Sequence, residues 1–360
     1  MDTASYVNRL LEEALDTRAS DVHLEPRAEV LQIRQRVDGF LVPVGSVSKE
    51  EMYPLISRLK VMGNLDIGEK RLPQDGALTV THRGERVDVR VSSMPTLYGE
   101  KLVLRLLRNR PEQMSLAELG MEEEEQKRLT EIIRRPGGLI LVTGPTGAGK
   151  TTSLYAILQE LNREEVNVVT LEDPVEFQLA GVNQIQVNNK AGLTFSRGLR
   201  AVLRQDPNII MVGEIRDAET ADIAIRAALT GHLVLSTLHT VDACSSITRL
   251  LDMGIEPYRI ASALTGVVAQ RLVRLICQGC KGKGCDDCRQ MGFKNRTGVF
   301  EILSVKEDFH PLIVDRAPLS RLRQNFRKAG MRSLSDAMLE KVMTGETTIS
   351  EYHRVVDVYE

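Results

Sequence analysis

The sequence predicts an α/β protein: a parallel sheet built around a phosphate-binding loop, preceded by a small α+β domain and followed by a four-cysteine element and helices. Three observations carry this expectation. Apolar runs at 138–143, 166–171, 208–213 and 232–237 alternate with helical patterns, as strands covered on both faces do. The run LILVT feeds directly into GPTGAGKT and then into a helical pattern, which is the strand, loop and helix order of a phosphate cradle. Two CxxC pairs stand four residues apart between Cys277 and Cys288.

From the N-terminus, Val7, Leu10, Leu11 and Leu15 recur at helical spacing, so the chain opens on an amphipathic helix. The segment VLQIRQRVDGFLVPVG alternates apolar and polar residues around Asp38-Gly39, a hairpin signal because both turn residues tolerate positive φ. GALTV and RVDVRVS repeat the alternation, so residues 1–110 read as a small α+β domain with an antiparallel sheet. NRPEQMSLAELGMEEEE then breaks the pattern with a proline, a glycine and an acidic run; the boundary is set near Pro111, with a linker over 111–118. The αβ domain is expected over 119–270 and the cysteine element over 271–300. Helical segments at 319–328 and 333–343 fall in a C-terminal region over 301–360.

Apolar residues make up 42% of 360, enough for a sizeable core. The formal net charge is -2 and basic residues are dispersed, so no overall field favours nucleic acid. The apolar runs fall far short of the roughly 20 residues of a membrane span. The opening MDTASYVNRLLEEALD carries acidic residues where an export signal needs a basic flank and an apolar block, which points to the cytoplasm. In that reducing compartment, four crowded cysteines point to metal ligation before disulfides. Cys244, near Ile247, Leu250 and Leu251, reads as a small buried hydrophobe.

In the loop of Gly144, Pro145, Thr146, Gly147, Ala148 and Gly149, the glycines let backbone N–H groups turn inward onto phosphate oxygens. Lys150 reaches the terminal phosphates, and Thr151, followed by Thr152, starts the helix with a hydroxyl for magnesium, so the expected ligands are ATP and Mg2+. Hydrolysis also needs carboxylates near the metal and the attacking water. IIMVGEIRD ends its strand at Glu214, the candidate Walker B acid, with Arg216 and Asp217 close behind, and VVTLEDPVE ends the preceding strand at Glu172 and Asp173. Parallel strands end on one edge of a sheet, so both acids are expected to face one nucleotide. His232 in TGHLVL and His239 in STLHT flank one apolar strand. An imidazole can donate to a γ-phosphate, and His239, at the strand's exit, is the stronger candidate of the two.

Cys277, Cys280, Cys285 and Cys288 can present four thiolates to a tetrahedral Zn2+, with glycines at 279, 282 and 284 for the tight turns and Lys281, Lys283 and Arg289 to offset the negative charge. Four protein ligands leave no open position, so such a site is structural; a redox pair or free thiols are the alternatives.

GPTGAGKT, TLEDPVE, IIMVGEIRD and TGHLVLSTLHT, in this order, resemble the ATPase family that drives type II secretion, type IV pili and competence pseudopili. The likeness runs through SDVHLEP, RLPQDGALTV, RVDVRVSSMPTLYGEKLVLRLL and LAELGM before the loop, and through GLRAVLRQDPNI, RDAETADIAIRAALTGH and VAQRLVR after it, covering almost the whole chain. It implies a RecA-like core with a PAS-like N-terminal domain, acting as a homo-hexamer at the inner face of the cytoplasmic membrane. There it would bind a membrane-embedded platform protein and no nucleic acid directly. The family's roles fall on Lys150 and Thr151 for phosphate and magnesium, Glu172 for the attacking water, Glu214 for magnesium and its waters, and His239 for sensing γ-phosphate. Arg90 and Arg105 match arginines that complete the site from the N-terminal domain, and Arg204 and Arg216 match further arginines of the catalytic domain. Guanidinium groups suit charge spread over equatorial oxygens.

The tetracysteine element, followed by MGFKNRTGVFEIL, is similar to that of the assembly and secretion branch, although the insertion between its pairs is shorter than in most secretion members. Retraction ATPases usually lack it. Larger members carry a further N-terminal docking domain, whereas this chain starts almost at SDVHLEP, which implies a trimmed chain or a compact subfamily. The short competence-pseudopilus ATPases of Gram-positive bacteria match its length and abbreviated cysteine loop. Two other classes share the core. A nucleic-acid motor needs a basic or aromatic strand-binding surface, against 4% aromatics and no tryptophan here. A regulatory nucleotide-binding scaffold would keep its function when Glu214 is replaced by Gln.

Overall fold

The structure is a computed structural model and describes residues 2–107 and 115–357. Contacts divide the chain into two compact units, Met1–Pro111 and Glu112–Glu360. Pro111 and the first residues of the expected linker, 111–114, lie outside the described residues.

The first unit contains α1 (Thr3–Asp16), β1 (Asp21–Pro26), β2 (Val30–Val37), β3 (Phe40–Ser48), α2 (Lys49–Met62), β4 (Gln74–His82), β5 (Glu85–Thr96) and β6 (Gly99–Leu107). Its strands form one antiparallel sheet in the order β3-β2-β1-β6-β5-β4. α1 starts where the Asp2 carboxylate accepts the N–H groups of Ala4 and Ser5 at 3.3 and 3.1 Å, and it buries Val7, Leu10, Leu11, Ala14 and Leu15. Asp38 and Gly39 turn β2 into β3 with φ of 48° and 89°, the left-handed pair that matches strand twist in a two-residue hairpin. Val87, Val89, Val91 and Ser93 alternate into the interior from β5. The unit also buries an ion pair: the Lys60 ammonium of α2 donates to a Glu100 carboxylate oxygen at 2.6 Å and to the Glu69 carbonyl at 2.8 Å.

The second unit contains a seven-stranded sheet in the order β13-β12-β7-β11-β10-β8-β9. β7 (Gly138–Thr143), β8 (Val168–Glu172), β9 (Asn183–Gln186), β10 (Ile209–Val212), β11 (Leu233–Leu238) and β12 (Leu264–Ile276) run parallel, and β13 (Phe293–Ser304) returns antiparallel to β12. The helices are α3 (Glu123–Ile133), α4 (Lys150–Leu161), α5 (Phe195–Val202), α6 (Ala218–Leu229), α7 (Ala243–Asp252), α8 (Pro257–Ala263), α9 (His310–Val314), α10 (Leu319–Lys328), α11 (Leu334–Met343) and α12 (Ile349–Tyr352). Leu139 and Leu141 of β7 pack with α5 to α8, whereas Ile140 and Val142 pack with α3 and α4. Cover on both faces explains why these strands are apolar without alternation. Cys244 is a buried residue of α7 in the first of those cores.

Two expected divisions meet continuous strands. The boundary at 270/271 falls inside β12 and that at 300/301 inside β13, so the sheet continues through both. Val267, Val273, Val299 and Leu303 share one apolar cluster with Phe309, Leu322, Phe326 and Met338, which joins the C-terminal helices to the sheet. Polar ties reinforce the join. Glu301 of β13 is 5% exposed, and its two carboxylate oxygens accept the N–H groups that open α7 and α11, from Ala243 at 2.8 Å and Leu334 at 3.0 Å; burial pushes its carboxyl up to about 7. Burial also opposes the charge of Glu351, yet hydrogen bonds from Arg354 and Arg274 hold that carboxyl down at about 2.

Removing one partner of a buried ion pair leaves the other uncompensated, at a cost of about 3–5 kcal/mol. Lys60→Met is therefore expected to accelerate amide hydrogen exchange in α2 and β6 by two to three orders of magnitude, on the order of that cost, and Lys60→Met with Glu100→Leu to recover most of the protection. Unchanged exchange in the single variant would contradict this account.

Candidate functional site

All strands next to β7 in the second unit run parallel to it, so their C-terminal ends share one edge. That edge collects the exit of β7 into the loop beginning at Gly144, the exit of β11 into His239, the exit of β10 into Gly213 and Glu214, and Glu172 at the end of β8. Hydroxyl groups stitch these exits together. The Thr143 hydroxyl donates to the Leu238 carbonyl at 3.1 Å and lies 2.6 Å from the Thr240 hydroxyl. Ser236 donates to the Val212 carbonyl at 2.7 Å, and Thr237 to that of Gly213 at 2.8 Å.

The loop turns tightly enough to need glycine. Gly144 and Gly149 have φ of 149° and 89°, and a Cβ on Gly144 would meet the Gln270 carbonyl oxygen at 2.5 Å. Gly149 caps α4, whose first residue is Lys150, so the loop leads into a helix N-terminus where backbone N–H groups favour anions. Thr146, Gly147 and Thr151 are exposed; Pro145 and Thr152 are half-buried, and Ala148 is buried. The Lys150 ammonium donates to the carbonyls of Gly144 and Pro145 at 2.8 and 3.0 Å. Burial brings its pKa down to about 8; Glu214 opposes that shift and the Arg271 guanidinium adds to it.

Glu214, 15% exposed, pairs with Arg216 at 2.6 Å and lies 3.8 Å from His239 Nε2. Burial, and then the Lys150 charge, hold His239 below its ordinary value against the pull of Glu214, so its imidazole is neutral and can donate. The exposed Thr151 hydroxyl and the Glu214 carboxylate are hard oxygen donors of the kind magnesium takes. Cations, a carboxylate and an imidazole on one edge can bind a polyphosphate and polarise its terminal group.

Most of the remaining expected residues have partners of their own. His232 precedes β11, at the opposite edge of the sheet, and its Nδ1 lies 3.0 Å from the Ala227 carbonyl at the end of α6, so it finishes a helix rather than meeting the loop. Arg204 follows α5 on the entry side of β10 and donates to the Arg200 carbonyl at 2.7 Å. Asp173 is exposed beside the buried Glu172, and Asp217 caps α6 by accepting the Thr220 N–H at 2.8 Å. In the first unit, Arg90 and Arg105 are paired positions on β5 and β6, and Arg105 Nε donates to Asp21 at 3.0 Å.

The sequence reading missed four residues. Arg271, buried beside the loop, donates to the carbonyls of Gln270 and Val241 at 2.9 and 2.5 Å. Tyr155 and Gln184 hydrogen-bond to Glu172, and Gln270 accepts from Ser153 of α4 at 2.7 Å. For Tyr155, Gln270 and Arg271 only a polar atom within an apolar stretch could have marked them, and Gln184, in the polar run NQIQ, carries no such mark.

The Sγ atoms of Cys277, Cys280, Cys285 and Cys288 all lie within 4.8 Å of one another, with separations of 3.9, 3.7 and 3.7 Å for 277 to 285, 280 to 288 and 285 to 288. A tetrahedral zinc with bonds of about 2.3 Å has sulfur edges of about 3.8 Å, so the cluster fits that ion. N–H groups of Gly284, Cys285 and Gly292 point at Cys280 and Cys288 sulfurs at 3.2, 3.2 and 3.3 Å, the support that thiolates need.

A parallel sheet with this loop at the exit of β7 and acids at the exits of its neighbours is a P-loop ATPase. Residues 2–354 match the family T2SSE, described as Type II/IV secretion system protein, and the chain belongs to that family. It is 46% identical to the "Type II secretion system protein E" of Pseudomonas aeruginosa over 97% of this chain and 74% of that protein. It is 47% identical to the "Type II secretion system ATPase E" of Vibrio cholerae over the same shares. It is 43% identical to the "Type IV pilus assembly ATPase PilB" of Thermus thermophilus, over 96% of this chain and 42% of that protein. Among solved structures, the pilus retraction motor PilT with bound ADP superposes with a TM-score of 0.68 at 27% identity, covering 96% of both chains. The fold is also that of the Legionella pneumophila ATPase DotB, with a TM-score of 0.77, 24% identity and coverage of 98% and 96%. The protein is thus an ATPase of the secretion and pilus motors. No helix among the described residues is long and apolar enough to cross a membrane.

Phosphate binds the ammonium form of Lys150. Nucleotide affinity is therefore expected to stay level up to about pH 8 and to fall above it, by up to about tenfold per unit, as binding must first return a proton to the lysine. A fluorescence titration with labelled ADP from roughly pH 7 to 9.5 checks this; affinity that stays flat would mean that the lysine keeps its ordinary pKa.

Proposed function

We propose that the chain is the ATP-hydrolysing subunit of a homo-hexameric motor that drives assembly of a pilus or pseudopilus. It would work at the cytoplasmic face of the inner membrane, held there by a membrane-embedded platform protein. The observation that carries this reading is the convergence of Lys150, Glu214, Arg216 and His239 on one sheet edge beside the glycine loop. The ADP named with the PilT structure supports nucleotide binding by a protein of this fold.

In this reading, the backbone between Gly144 and Gly149 cradles the phosphates and Lys150 neutralises the terminal ones. Thr151 and Glu214 hold Mg2+, which when bound draws charge from the phosphate oxygens. Glu172 directs the attacking water and His239 donates to the γ-phosphate. Arg216 stands beside Glu214 in the same subunit. Arg90 and Arg105, adjacent on a PAS-like N-terminal domain, and Arg204, remote from the loop of its own chain, serve by domain rotation or from a neighbouring subunit. Closing the sites in turn is how a ring converts hydrolysis into movement. The four cysteines hold a structural Zn2+.

Glu214→Gln is expected to cut kcat by about a hundredfold or more with nucleotide still bound, whereas a regulatory scaffold would keep its function in the cell. Complementation of secretion-, pilus- and competence-deficient hosts, beside a Lys150→Ala control, identifies the system; rescue in none of them removes the motor reading. Metal analysis of the purified protein is expected to find about one zinc per chain, lost in Cys277→Ser together with thermal stability but not with ADP affinity.

A further inference from the structure

Glu172 and Glu214 end neighbouring strands in opposite surroundings. Glu214 meets solvent and cations, whereas Glu172 is 3% exposed and both of its oxygens are held. Oε1 accepts from the Thr170 hydroxyl at 2.6 Å and the Gln184 amide at 3.1 Å, and Oε2 accepts from the Tyr155 hydroxyl. A carboxylate taken out of water needs such donors, and three of them from different directions also fix its orientation.

Tyr155 differs from the other two donors in where it comes from. Thr170 and Gln184 are directly paired residues of β8 and β9 and move with that edge of the sheet. Tyr155 belongs to α4, the helix that opens at Lys150. β8 stands three places from β7 across the sheet, about 14 Å at a strand spacing of about 4.8 Å, so this hydroxyl links the helix of the phosphate loop directly to a distant acid. The ring is held by an edge contact with Phe177, with centroids 4.5 Å apart at 75°, and the hydroxyl also accepts the Glu176 N–H at 3.4 Å. Burial first, and the Glu172 carboxylate second, push the phenol well above its ordinary value, so it stays a donor.

We propose that Tyr155 is a positioning residue for Glu172: its hydroxyl ties the orientation of the water-directing carboxylate to the seating of the phosphate-loop helix. This rests on Glu172 being the residue that directs water. Nucleotide drawn into the loop seats α4, and the same rigid helix sets the acid, so the acid is aligned when the loop is filled. A purely structural tyrosine would affect folding and leave the chemical step alone.

The test is steady-state ATPase activity of the full-length protein, with kcat, KM and the pH profile of kcat compared for wild type, Tyr155→Phe and Glu172→Gln. Phenylalanine keeps the ring and its contact with Phe177. Losing one donor to an anion is expected to lower kcat about tenfold with KM and ADP affinity unchanged, and to move the acid limb of the profile upward by about one pH unit. A Tyr155→Phe protein with the wild-type kcat and acid limb, beside a dead Glu172→Gln, overturns the role of Tyr155 and leaves that of Glu172 intact. An active Glu172→Gln overturns both. Should Tyr155→Phe fail to fold, Phe177→Leu keeps the hydroxyl but removes the edge contact that holds the ring; a lowered kcat with the acid limb moved upward is then expected, and a wild-type kcat and acid limb overturn the role of Tyr155.

Discussion

Lys150 is a cation that the fold draws partly out of water, and burial by itself would carry it toward neutrality. Two carbonyls of its own loop and the carboxylate of Glu214 keep it charged, while the buried Arg271 pushes the other way. That balance needs the loop, the exits of β10 and β11, and β12 to be held within reach of one another. The threonine and serine hydroxyls that tie Thr143 to Thr240, Ser236 to Val212 and Thr237 to Gly213 supply the constraint, each bonding across adjacent strand ends. A polyphosphate entering such a site meets a charge already placed, which is the preorganisation that phosphoryl transfer rewards.

The same constraint extends to the C-terminal helices. Glu301 accepts the opening N–H groups of both α7 and α11, so one buried carboxylate holds the segment after His239 against the last helices. Asp242, at the N-cap of α7, pairs with Arg323 of α10. Displacement of the loop around His239 is therefore opposed by contacts that reach the end of the unit. The apolar cluster running from Leu139 to Met338 makes sheet and helices one packed body, through which such a displacement can be passed on as movement.

Much of this was legible in the residues. Strand ends carry chemistry in a parallel sheet, so an apolar run ending in Glu214, or in Glu172, marks a site once GPTGAGKT has marked the edge. Asp38-Gly39 announces its hairpin because few other pairs take two left-handed residues in succession. The extent of the sheet was less legible. β12 passes from buried to partly exposed as it leaves the core and β13 from partly exposed to buried as it returns, each with polar residues in its run, and the cysteine element inserted between them reads as a boundary while the strands pair on either side of it.

By itself, the sequence determined the phosphate loop, the order of strand and helix around it and the four-sulfur cluster, because each depends on residue types a few positions apart, where covalent spacing limits the geometry. Tertiary structure alone decided which of two similar glutamates meets solvent and which is enclosed. It also brought Tyr155, Gln184 and Arg271 to the acids and the loop. Those outcomes depend on the order β7-β11-β10-β8 and on the direction α4 takes across it, and long-range pairing of this kind is specified by the whole core rather than by any local run of residues.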